Sequence, residues 1–195
     1  MLMLAPKAGF ISEADYLQAE KLTDIRHEYV HGCVYALAGA SLRHNDIALN
    51  TAFALRSAAL AIPCRVNVSD IKVCAAKSKA YFYPDVVVSC EQESADAYYV
   101  EQPCLLVEVT STSTAWTDQH QKVIAYQKLA ALQTYLIIAQ DRPQVTVYYR
   151  DAEGAWDVAL YDQLEQSIPL LCPSTKLKLA DIYAGVDFTQ TPTDG

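Results

Sequence analysis

Tyr83-Pro84-Asp85-Val86-Val87-Val88 and, further along, Leu105-Leu106-Val107-Glu108-Val109 decide the reading of this chain. Both are short apolar runs of the kind found in strands buried on both faces. Each carries one acid. A carboxylate inside a buried strand is costly unless it is paired, hydrogen-bonded or bound to a cation. If the two strands are neighbours, Asp85 and Glu108 meet at one edge of a sheet. Like charges at short range oppose ionisation, and a divalent cation between them removes the conflict. Mg²⁺ takes one or two carboxylates plus waters. The plain alternative is that each acid caps a strand end or pairs with a nearby base.

The flanking sequence supplies the remaining elements. Ser12-Glu13-Ala14-Asp15 has the form of a capping box and predicts a helix to about Lys21. The β-rich runs on either side of His31-Gly32 predict a hairpin. Ser41 opens an Ala-rich helical stretch that Pro63 ends. Residues 65–74 alternate as one strand and residues 81–89 form the next. Residues 104–110 are a third strand, followed by the polar loop Ser111-Thr112-Ser113-Thr114. A helix over 117–132 and a strand over 134–139 come after. Residues 145–150 and 156–161 flank Asp151-Ala152-Glu153-Gly154 as a second hairpin with one solvent-exposed side. Residues 179–183 predict a terminal helical turn. The order is α/β with one central mixed sheet, an αβββαβ core, and N-terminal and C-terminal β-hairpins. We expect a single domain over 1–188 and a flexible tail over 189–195.

Composition narrows the function. Of 195 residues, 52% are hydrophobic and 19% charged, which excludes a disordered chain. The six glycines form no GxGxxG, GxxxxGK[ST] or GxSxG, so dinucleotide sites, P-loops and hydrolase elbows are absent in their usual forms. A net charge of −8 repels polyanions at long range, so nucleic-acid binding requires a local basic groove. Arg65, Lys72, Lys77 and Lys79 are the one basic cluster available for it, or else a solvated loop. No pair of the six cysteines has C-x-x-C spacing. Several lie in apolar runs, so we expect reduced thiols in a cytoplasmic protein. The opening MLMLAPKAGF lacks the basic-then-apolar order of a secretory signal, and no run is long enough to span a membrane.

The Pro-Asp on one strand and the Glu on the next, within this element order, resemble the PD-(D/E)XK nuclease fold. More narrowly, the chain resembles the Uma-type family of restriction-endonuclease-like proteins. The stretches that carry the likeness are Arg26 to Tyr35, Ser69-Asp70-Ile71-Lys72-Val73, Tyr83 to Val88, Leu106-Val107-Glu108-Val109 with Ser111 to Thr114, Asp118 to Tyr126, and Tyr135-Leu136-Ile137. They span about residues 25–185. The resemblance implies a metal-dependent endonuclease hydrolysing DNA phosphodiester bonds. In it Asp85, Glu108 and the Val109 carbonyl hold Mg²⁺ or Mn²⁺. It departs from the parent motif in one place, because Thr110 stands where a Lys is required.

Lys122, on the following helix, is the substitute that the resemblance also indicates. An i,i+4 surface pair with Asp118 is the competing reading. Glu28 is a further acid that, by the same likeness, completes the metal shell; its place beside the hairpin reads equally as a strand-edge charge. His27 and His31 are four apart, as in helical zinc pairs, but lie in extended chain. His44 reads as a helix-terminus hydrogen-bonder, and Asp70 as a turn residue. Duplex cleavage needs two cuts, so a homodimer is expected, with Tyr148, Tyr149, Trp156 and Tyr161 of the second hairpin either at its interface or packed on the domain's own sheet. An inactive nuclease-fold protein serving as a binding or assembly module remains the alternative.

Overall fold

The computed structural model describes residues 9–90, 97–110 and 115–189, with the backbone alone for residues 115–119. The Ser111–Thr114 loop, the Asp118 side chain and the tail from residue 190 lie outside the described residues. In chain order, the N-terminal part comprises α1 (Glu13–Glu20), β1 (His27–Val30), β2 (Cys33–Ala36), α2 (Leu42–Ala59), β3 (Arg65–Val68), β4 (Lys72–Ala75), β5 (Ala80–Phe82), β6 (Val86–Ser89) and β7 (Tyr99–Val100). The rest comprises β8 (Pro103–Thr110), α3 (Ala115–Tyr126), β9 (Thr134–Ala139), β10 (Val145–Arg150), β11 (Trp156–Tyr161), β12 (Ser167–Leu171), β13 (Ser174–Lys178) and α4 (Leu179–Ile182).

Local chemistry sets the boundaries. Ser12 caps α1, its Oγ accepting from the Asp15 N–H at 3.1 Å, and Ser41 caps α2 in the same way through His44. Such caps contribute about 1 kcal/mol each. The β1–β2 turn has positive φ at both His31 (49°) and Gly32 (89°), the geometry of a tight I′ hairpin. A Cβ at Gly32 would also collide with the ring of Phe10.

The strands form two main sheets rather than one. The first has the order β2-β1-β5-β4-β7, the second β11-β10-β9-β8-β6-β3, and β12-β13 make a separate hairpin. The expected single strands over 65–74 and 81–89 are each cut in two, and each crosses from one sheet to the other. Ser69 breaks the first with φ +59°. Pro84, which has no N–H to give a ladder, breaks the second. The two breaks are tied together by Ser69 N–H donating to the Asp85 carbonyl at 3.0 Å. Asp85 thus sits where the sheets diverge. The expected helix over 117–132 ends at Tyr126, and the β12–β13 hairpin, which carries Pro169 and Pro173, was not anticipated.

The second sheet is mixed. β6 pairs antiparallel with β8, and β8 runs parallel to β9 through the α3 crossover. One face packs on α2, β12–β13 and α4 through Ile47, Leu55, Val86, Leu105, Val107 and Ile168. The other packs on α3 through Val87, Leu106, Tyr126 and Tyr135. Cover on both faces explains why β6 and β8 read as unbroken apolar runs. A smaller cluster of Tyr16, Tyr29 and Tyr81 lies between α1 and the first sheet.

Four cysteines gather at the end of the core remote from Asp85, and the expectation of six reduced thiols is not met. Cys64 is bonded to Cys90 and Cys104 to Cys172, while Cys33 and Cys74 are free thiols. Their elements meet there, with Cys64 after α2 placed across from the end of β6 and Cys172 in the β12–β13 turn over β8. The aromatic residues of the β10–β11 hairpin pack on their own domain. Trp156 lies over Arg150 and donates to the Gln127 carbonyl, and Tyr148 stacks on Tyr135. No helix among the described residues is long and apolar enough to cross a membrane.

Candidate functional site

The acids singled out from sequence converge at the divergence of the two sheets. Glu28 on β1, Asp85 before β6 and Glu108 on β8 are 0%, 6% and 5% exposed. Lys122 reaches them from α3, itself 4% exposed. Its Nζ lies 2.9 Å from Glu28 Oε1 and 3.1 Å from Glu108 Oε1. One ammonium therefore bridges carboxylates from two different sheets. Thr110, two residues after Glu108 on β8 and so on the same face of the strand, has no cation to offer. Helix α3 faces β8 across the sheet, and Tyr126, one turn after Lys122, donates its hydroxyl to the same Glu108 oxygen at 3.1 Å. Burial first, then the Glu108 charge, pushes the Tyr126 hydroxyl well above its ordinary pKa, so it stays a donor. Glu28 also accepts from the Tyr83 backbone N–H at 3.1 Å.

Asp85 is held differently. Its Oδ2 accepts from the Val109 backbone N–H at 2.7 Å, which anchors it beside Glu108, and its Oδ1 lies 2.9 Å from His44 Nε2 on α2. Asp85 thus meets β8 at the Glu108–Val109 peptide, with His44 of α2 as its other partner, while the Glu108 carboxylate takes Lys122 and Tyr126 from α3. His44 is the hydrogen-bonder at the helix start that the sequence suggested, and it is 5% exposed. It continues the buried face of α2 formed by Ile47, Ala48, Thr51, Ala52, Leu55 and Ala59, and that spacing was legible in the sequence. A cavity of about 310 Å³ opens beside Asp85 and His44, with Arg26 and Tyr83 in its wall. Arg26 pairs with the exposed Asp70 at 2.9 Å.

The expected basic cluster is divided. Lys77 and Lys79 are exposed, but Lys72 is buried, with its Nζ 3.3 Å from the Tyr83 hydroxyl. That hydroxyl donates to Glu20, which also accepts from the His27 backbone N–H. Burial, then the Glu20 charge, raises the Tyr83 pKa. His27 therefore serves Glu20, and His31 sits in the hairpin turn. Among the described residues, no three His, Asp or Glu ligand atoms gather as a ready-made metal cage. The group that does gather is Cys64, Cys90 and Cys172.

The sheet topology and the buried acids at its divergence define a mixed α/β protein of nuclease-like fold. The crystal structure of a putative nuclease belonging to DUF820, from Anabaena variabilis, superposes with a TM-score of 0.72 at 17% identity, covering 89% of this chain and 98% of that one. Two uncharacterized proteins of Synechocystis sp. are similar in sequence. One, slr1290, is 29% identical over 96% of this chain and all of its own length. The other, sll1609, is 32% identical over 80% of this chain and 89% of its own. Residues 13–180 match the Uma2 family, described as "Putative restriction endonuclease", and the chain belongs to that family.

Proposed function

We propose that the chain is a Mg²⁺- or Mn²⁺-dependent endonuclease acting on DNA as a homodimer. The observation that carries this reading is Lys122, delivered from α3 into the space between Glu28 and Glu108, where the parent motif would place a Lys from β8. The donor set suits a hard cation: Asp85, Glu108 and the Val109 carbonyl offer oxygens only. The Asp85 oxygens have one close partner each, His44 on Oδ1 and Val109 N–H on Oδ2, and a carboxylate oxygen has two lone pairs.

When bound, the metal lowers the pKa of a water and polarises the phosphate. The chain's own residues do the rest. Val109 N–H and His44 fix the Asp85 carboxylate in place. Lys122 orients the attacking water and offsets charge building on the phosphate oxygens. Tyr126 holds Glu108 in register with Lys122. Arg26, in the wall of the cavity beside Asp85, is the cation best placed to meet a neighbouring phosphate. Cytoplasmic residence belongs to the same reading, since the substrate lies there. The paired cysteines bear against it.

The test is thermal unfolding with and without Mg²⁺ at matched ionic strength. A real site stabilises the native state by mass action. The wild type should gain in melting temperature and Asp85→Asn should not. Equal melting temperatures in the wild type at all Mg²⁺ concentrations would favour the alternative of an inactive binding module.

A further inference from the structure

The outer face of α2 carries an inference that stands whether or not the chain cleaves DNA. Leu42, Leu49, Phe53 and Leu60 are exposed at 85%, 58%, 74% and 72%. A surface helix of a monomer turns polar residues outward, and large apolar groups in a row there mark an interface. Asp46 and Arg56 lie in the same row and are also exposed. Among the described residues neither forms an ion pair within the chain. The row 42, 46, 49, 53, 56, 60 alternates steps of four and three residues, the spacing of a two-helix seam.

The row is also symmetric about its midpoint. Leu42 and Leu60, Asp46 and Arg56, and Leu49 and Phe53 are each equidistant from position 51. A two-fold axis through that position lays a second α2 antiparallel on the first. Leu42 then meets Leu60 of the other copy, Leu49 meets Phe53, and Asp46 meets Arg56, all twice over. A parallel pairing would set Asp46 against Asp46 and Arg56 against Arg56. The apolar order alone would be compatible with any greasy partner, whereas the opposite charges placed by the same two-fold select a second copy of this chain. We infer that α2 is an isologous, antiparallel homodimer interface. The seam is about 27 Å long at 1.5 Å per residue. His44 lies seven residues from the axis, which offsets the two candidate sites by about 21 Å along the helices. The β11 edge, where Val158 and Leu160 are exposed, offers no such match of charge.

Sedimentation equilibrium of the full chain decides this. The wild type should dimerise at concentrations on the order of micromolar. Asp46→Arg and Arg56→Asp should each place like charges across the seam twice and weaken the dimer by more than about tenfold. Because both sites are exposed, circular dichroism should show native folds. An equimolar mixture of the two variants should restore a dimer, since each then supplies what the other lacks. A wild type that is monomeric up to about 100 µM overturns the inference. So does a dimer that survives Leu49→Glu with Phe53→Glu, or a mixture no tighter than its components.

Discussion

Replacing Lys122 by Met keeps the length of the side chain and removes the ammonium. Glu28 and Glu108 would then be two carboxylates, 0% and 5% exposed, that have lost the cation 2.9 and 3.1 Å away. Removing one partner of a buried ion pair costs about 3–5 kcal/mol, because the remaining charge is left uncompensated. Here two charges are left, so the upper half of that range applies, moderated by the hydrogen bonds from Tyr83 N–H to Glu28 and from Tyr126 to Glu108. In a chain of this size about 4 kcal/mol corresponds to a fall in melting temperature of roughly 8–16 °C. The loss should shrink in Lys122→Met combined with Glu28→Gln, which leaves one carboxylate fewer without a cation. Urea unfolding at pH 8 measures it. A loss under 1 kcal/mol at pH 8, or no relief from the second substitution, would refute the view that one ammonium holds the two sheets' acids together.

Other outcomes follow from the same geometry. His44→Ala should weaken Mg²⁺-dependent stabilisation about 10–100-fold, as losses of residues that orient a ligand do; a titration of melting temperature against Mg²⁺ reads it, and no change would make His44 purely structural. Burial raises the hydroxyl pKa of both Tyr16 and Tyr126 above the usual value near 10. Their contribution to stability is complete below pH 10 and is lost as pH rises, because the unfolded chain ionises first. Each group should steepen the loss by about 1.4 kcal/mol per pH unit. Urea unfolding from pH 9 to 11 should therefore show a shallower slope for Tyr126→Phe. The bonds Cys64–Cys90 and Cys104–Cys172 close loops of 26 and 68 residues. Reduction should cost up to about 3–4 kcal/mol for each, less than additively since they adjoin. Thiol titration of unfolded protein should find two thiols before reduction, Cys33 and Cys74, and six would show that the bonds do not form.

The strands that carry the acids were legible because burial on both faces leaves an unbroken apolar run, and Asp85 and Glu108 stand out against it. Lys122 was reachable only by way of the family likeness. Nothing local distinguishes it from a helix-surface cation, and its burial depends on β8 lying beneath α3. The division of residues 65–74 and 81–89 between two sheets was not legible. The signals were there but small: the apolar positions slip from Val66 and Val68 to Ile71 and Val73 across Ser69-Asp70, and Pro84 cannot give an N–H to a ladder, yet neither says that the chain changes sheet. His44 was read as a hydrogen-bonder at a helix terminus and is one, but its partner Asp85, 41 residues away, could not be read from the sequence. The cysteine pairing depends on which strand ends meet, and spacing along the chain does not carry that.

Incubation of supercoiled plasmid and of single-stranded DNA with the purified chain, in Mg²⁺ or Mn²⁺ and with chelator as the blank, tests the central claim most directly. The account predicts metal-dependent cleavage by the wild type and none by Asp85→Asn or by Glu108→Gln, with native folds confirmed for both. Absence of cleavage by the wild type with either metal, or undiminished cleavage by the Asp85 variant, would contradict it.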